Sequence, residues 1–153
     1  MRIIHSMSRM HTHRTTVVAG PWQGSTRSLR SIGAGQAPAW RDRRRSALAE
    51  QLAAMPMGGV VALTVPKAPY RCPPGPYERA CLIADWLKAN KPRAKLIVLD
   101  ANPDIVTEKE NFSNAFNGLH GKVIEYRAGV EINSVDAAQM TLATSGGAVR
   151  ADV

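Results

Sequence analysis

The chain of 153 residues carries 20 Lys and Arg against 12 Asp and Glu, a formal charge of +8, with two cysteines and 44% hydrophobic residues. That length allows one domain with a modest core. Two cysteines exclude a disulfide-framed scaffold, and no apolar run reaches the length of a bilayer span. The charge is local. Residues 1–45 hold nine arginines, no lysine and one acid, Asp42, and the remainder balances eleven bases with eleven acids.

Residues 1–45 lack Phe and Tyr and show no sustained apolar periodicity. Such a stretch buries too little surface to offset its ordering entropy, so a disordered or non-native arm is expected. As a nucleic-acid arm it offers charge to phosphates. Its arginines are scattered, however, and no reading module follows, so nucleic acid is not the expected partner. As a targeting peptide it is Arg-rich and acid-poor. Val17-Val18-Ala19 is too short for a secretory apolar region, so no export signal is read here.

From Ser46 to Val153 the pattern is regular and reads as one α/β domain. Ser46–Met55 is an amphipathic helix with Ser46 as its N-cap, ended by Pro56 and Gly58-Gly59. Val60–Val65 is a strand apolar on both faces, as a buried parallel strand is. Glu78–Ala89 is a helix, stopped before Lys91-Pro92. Ala94–Asp100 is a second buried strand. Strand, helix and strand make a βαβ unit, which closes right-handed on a parallel sheet. Asn102-Pro103-Asp104 breaks the chain, Glu108–Leu119 is a third helix, and Lys122–Arg127 is a third strand. Val130–Val135, Met140–Thr144 and Val149–Val153 form a C-terminal β-meander, with Ser145-Gly146-Gly147 as a turn. The expected fold is a Rossmann-like βαβ parallel sheet followed by that meander.

The loop after the first strand carries the chemistry. A dinucleotide cradle needs glycines there, so that the backbone can approach a pyrophosphate. Pro66–Pro76 keeps only Gly75 and is crowded with prolines that lack N–H donors. Asp100 ends the second strand where an acid would meet a ribose, but without the cradle it reads as a strand-end cap. Cys72 stands at the strand-to-helix junction, facing the crevice where open α/β sheets bind ligands. N–H groups of the following helix can stabilise a thiolate there. Pro73 and Pro74 are expected to keep Cys72 out of a continuous helix. Glu78, in the first helical turn, is either a helix-dipole contact or a carboxylate that moves protons near the sulfur. Tyr70 and Tyr77 either wall a planar ligand or pack. Cys81 is read as a small buried hydrophobe. The cysteine spacing suits no zinc site, and His120 has no evident partner, so no metal site is expected.

The segment Pro66-Lys67-Ala68-Pro69-Tyr70-Arg71-Cys72-Pro73-Pro74-Gly75-Pro76-Tyr77-Glu78-Arg79-Ala80 closely resembles the flavoprotein subunit of flavocytochrome c sulfide dehydrogenase, a relative of sulfide:quinone oxidoreductases. The likeness runs on through Leu87–Pro92 and Lys95–Asp100, and spans about Leu48 to Val153. It implies the second, NAD-domain-like unit of a flavoprotein built on two dinucleotide-binding folds, with FAD in the intact protein. It implies that Cys72 belongs to a redox-active cysteine pair beside the flavin and that Glu78 lies near the ring, with Pro73, Gly75 and Tyr77 close by. Sulfide is the implied substrate, a cytochrome c subunit the implied partner and electron acceptor, and the periplasm the implied location.

Departures from that family are equally plain. The FAD fingerprint is absent, since Gly33-Ala34-Gly35 follows no strand and opens no helix. Cys81 does not match the second redox cysteine. The expectation is a truncated, partial domain over residues 46–153: an oxidoreductase by lineage, inactive alone, and holding neither FAD nor NADH tightly. The competing expectation is a small non-catalytic α/β binding module whose basic arm contacts nucleic acid or an acidic partner.

Overall fold

The structure, a computed structural model, describes residues 39–153. The expected arm therefore lies, for residues 1–38, outside the described residues. Helix α1 spans Ala39–Ala54. It starts seven residues before Ser46, so Ser46 is an interior residue and not the N-cap. Alanine and arginine are strong helix formers, and Ala39–Arg45 contains no breaker. Leu48, Leu52 and Met55 recur at helical spacing and are all buried on one face.

Strand β1 is Val60–Val65 and strand β2 is Lys95–Asp100. Helix α2, Gly75–Asn90, connects them. Strand β3, Ile124–Arg127, follows a short helix α3, Lys109–Asn114, which runs directly into a π-helical turn at Ala115–Leu119. The three strands form one parallel sheet in the order β1-β2-β3. Its register pairs Val61 with Leu96, Leu63 with Val98, and Val98 with Tyr126. Strands β4 (Ile132–Asp136), β5 (Thr141–Thr144) and β6 (Gly147–Arg150) form a separate antiparallel sheet.

The apolar residues of β1 and β2 divide between two cores. Val61, Leu63, Val65, Leu96 and Val98 face the helices, packing with Leu52, Ile83, Leu87 and Phe116. Ile97 and Leu99 face the other way, with Val60 and Ala62 packed beside them, onto Val130, Leu142, Val149 and Ala151 of the meander region. The result is three layers: helices, parallel sheet, meander. Strands apolar on both faces require cover on both faces, and this arrangement supplies it. The outer edge of β1 is also paired. Ala62 donates its N–H to the Val153 carbonyl at 2.8 Å, and Val60 receives the Asp152 N–H at 2.7 Å and donates to Asp152 Oδ2 at 2.8 Å.

Helix α2 begins at Gly75, ahead of the Glu78 start that the prolines suggested. Pro74 is its N-cap and Pro76 lies in its first turn, where a missing N–H costs no intrahelical bond. The prolines initiate the helix rather than delay it.

His120 closes the π-helical turn, donating its backbone N–H to Ala115 O at 2.8 Å. Its ring is buried, and it does have neighbours: Lys88 Nζ at 3.5 Å and Asp85 Oδ1 at 3.8 Å from Nδ1. Burial first, then the Lys88 charge, pushes the imidazole below its ordinary value of 6.5, with Asp85 opposing. A depressed histidine favours the neutral ring in the fold, so its contribution is complete above the unfolded value. Stability is therefore expected to fall as pH drops through 6.5 toward the lower folded value. Urea midpoints measured at about pH 7.5 and 5.5 should show this loss, and a His120→Gln variant should flatten it.

Candidate functional site

The loop between β1 and α2 carries Cys72 at the carboxyl end of the parallel sheet. Cys72 is a free, exposed thiol with φ of 61°, in the left-handed region that non-glycine residues rarely occupy. The sulfur lies over the first residue of α2, because a Cβ built on Gly75 would sit 3.4 Å from Sγ. The Cys72 carbonyl accepts the Gly75 N–H at 3.1 Å. Tyr70 bridges the same loop, donating its hydroxyl to Pro73 O at 3.2 Å, and burial raises its phenol above the ordinary value.

Two features of this helix start were not legible in the sequence. The free N–H groups expected to face the sulfur are largely absent: Gly75 spends its donor on Cys72 O, Pro76 has none, and Glu78 bonds Pro74 O at 3.0 Å. The helix dipole remains. The second is Arg79, which is half-buried and whose Nε has no hydrogen-bond partner. Burial lowers its guanidinium, while the charges of Cys72 and Glu78 act on it in the opposite sense. Glu78 itself is exposed. Pro73 is exposed and Gly75 half-buried.

Of the two readings of Tyr77 from its residue type, the structure shows packing. Its ring is fully buried, 5.3 Å from Phe112 and 6.4 Å from Phe116 by ring centroid. Its hydroxyl donates to Asp100 Oδ2 at 2.7 Å and accepts the Val106 N–H at 3.2 Å. Tyr126 donates to the same Oδ2 at 2.9 Å. Burial above all, then the bond to Asp100, holds both phenols far above their ordinary value.

Asp100 is the hub beneath this loop. It is fully buried. Its other oxygen, Oδ1, accepts the Asn102 backbone N–H at 2.8 Å and the Asn102 amide at 2.7 Å. Asn102 in turn donates Nδ2 to Pro66 O at 2.9 Å and accepts the Ala68 N–H on Oδ1 at 2.8 Å. Asp100 does cap its strand end, and through Asn102 it reaches across to the neighbouring loop. The sequence signal for Asn102 was weak: an amide after a strand-end acid, followed by proline.

Cys81 is half-buried in α2 against the helical core. Burial first, then Asp85 and Glu78, pushes its thiol up to about 11. Among the described residues no group of three His, Cys, Asp or Glu side chains is gathered as a metal centre. No described helix is long and apolar enough to cross a membrane.

The segment around Cys72 thus stands on a parallel β–loop–α unit, and residues 45–153 match the family described as sulfide dehydrogenase [flavocytochrome c] flavoprotein chain, central. The chain belongs to that family. The matched region begins inside α1 and includes all three layers. In this sulfide dehydrogenase flavoprotein unit, the residues at the first βα turn do not form a dinucleotide cradle. Pro76 offers no N–H, Gly75 has spent its own, and the strand-end acid is saturated by Tyr77, Tyr126 and Asn102.

Proposed function

We propose that this chain supplies the sulfur-bearing central unit of an FAD-dependent sulfide dehydrogenase, with Cys72 as one member of the redox-active cysteine pair. The complete protein oxidises sulfide and passes the electrons to a cytochrome c partner, and the second cysteine lies outside this chain. The supporting observation is an exposed thiol at the carboxyl end of β1, on the family-specific segment. Under this reading Cys81, inside α2, is not the second sulfur, and the chain is inactive by itself.

The role of this chain is to present Cys72 Sγ to an incoming hydrosulfide. In the paired state the sulfur is half of a disulfide. Hydrosulfide attack forms a new S–S bond at Sγ, breaks the old one, and expels the partner as a thiolate, leaving a persulfide on Cys72. Arg79 lies within electrostatic reach of this sulfur and supplies positive charge opposite the anions gathering there. Glu78 stands exposed in the adjacent helical turn, positioned to exchange protons with water.

The purified chain tests this directly. Dipyridyl disulfide is used to cap accessible thiols, and sulfide is then added. Hydrosulfide should displace thiopyridone and leave a persulfide on Cys72, located by mass mapping. A parallel flavin titration should show no saturable quenching. Stoichiometric flavin on the purified chain, or persulfide on Cys81 in place of Cys72, would overturn the reading.

A further inference from the structure

We infer that Asp100 is a positioning residue for Cys72, gripping both flanks of the sulfur-bearing loop through its two carboxylate oxygens; the inference rests on the proposed role of Cys72. Oδ2 holds the exit side of the loop by accepting the hydroxyl of Tyr77, in the first turn of α2. Oδ1 holds the entry side through Asn102, whose amide is oriented by Asp100 and bonds both Pro66 O and Ala68 N. Cys72 lies between these anchors. Both grips come from one fully buried carboxylate at the end of β2, the central strand of the parallel sheet. The loop is thereby referenced to the most rigidly paired part of the fold.

The backbone at Cys72 explains why such a grip is needed. A φ of 61° on a residue with a Cβ is strained, and persists only where the surroundings over-determine it. Within the loop the stabilising bonds around Cys72 are short-range: Gly75 N–H to Cys72 O and Tyr70 OH to Pro73 O. They tighten the turn, while Tyr70 packs on the helical core and Lys67 makes an exposed ion pair with Glu131 at 3.7 Å. The Asp100 bonds tie it to the sheet. Burial of the donors and acceptor makes these bonds hard to exchange for water.

Tyr126 provides an internal control, because it donates to the same Oδ2 from β3 and makes no side-chain hydrogen bond to the loop among the described residues. The test uses the full chain in a Cys81→Ala background, with a nitroxide attached to Cys72. Tyr77→Phe and Asn102→Ala should each sharpen the nitroxide spectrum and speed amide exchange at Ala68 and Gly75 about tenfold, the population change of a weakened local clamp. Tyr126→Phe should leave both signals at the parent level even if its melting temperature falls by as much. Asp100→Asn provides a second variant that keeps the shape of the side chain and should loosen the loop as Tyr77→Phe does. Equal loosening in all variants, or none in Tyr77→Phe and Asn102→Ala, would overturn the inference. Neither signal depends on sulfide. A loop that responds as expected, on a chain whose Cys72 forms no persulfide, would sink the functional reading alone.

Discussion

Asp100→Ala is expected to cost about 3–5 kcal/mol of unfolding free energy, because it leaves several buried donors without an acceptor at once. The loss strands the Tyr77 and Tyr126 hydroxyls and the Asn102 amide around a cavity in the centre of the fold. Each buried donor left without a partner costs about 1–3 kcal/mol, so several together account for the total. Against a typical domain stability of about 5–15 kcal/mol, that shift is large enough to leave a measurable unfolded population. Urea denaturation followed by circular dichroism measures it. Tyr126→Phe, which removes one donor and no acceptor, should cost less, about 1.5–3 kcal/mol for a bond to a charged group. An Asp100→Ala loss below that of Tyr126→Phe would mean that the carboxylate is not the hub that its four donors indicate.

Alkylation separates the two thiols. Cys72 is exposed, whereas Cys81 is half-buried with its thiol raised from 9.0 to about 11 by burial and by Asp85 and Glu78. Two units of displacement reduce the thiolate of Cys81 about a hundredfold at neutral pH, and the thiolate is the reacting form. Iodoacetamide at about pH 7.5 should therefore modify Cys72 at least about tenfold faster, even before restricted access to Cys81 is counted. Timed mass mapping decides it. The rate at Cys81 should continue to climb as pH approaches its raised value. Equal labelling of the two thiols at neutral pH would contradict the placement of either the loop or α2.

The order of the elements was legible because hydrophobic runs and breakers alternate cleanly from Val60 onward. A run such as Leu96-Ile97-Val98-Leu99 has no polar face and could only be a strand covered on both sides. What covers the second side was not legible, since the packing of Leu142 and Val149 against Ile97 and Leu99 is a tertiary fact that no local pattern encodes. Helix starts were misjudged in two places for opposite reasons. At α1, good formers upstream of Ser46 extend the helix, and at α2, prolines that looked like obstacles serve as its first turn.

At the candidate site, the place of Cys72 in the loop between β1 and α2 could be read from residue types alone. Asp100 was recognisable as a strand-end acid with a structural role, but its reach was not. Tyr77, Asn102 and Tyr126 come from three separate elements, and only the fold brings them to one carboxylate.

The left-handed backbone at Cys72 has a consequence for how this gene drifts. At such a φ, glycine is free of the Cβ clash that costs roughly 1–2 kcal/mol in other residues, and asparagine tolerates it better than most. Folding alone would therefore reward replacement of Cys72 by either. Under the proposed role of Cys72, only selection for sulfur chemistry retains the thiol; where that selection lapses, the residue should be shed early while the prolines and the buried acid that the fold itself needs are kept.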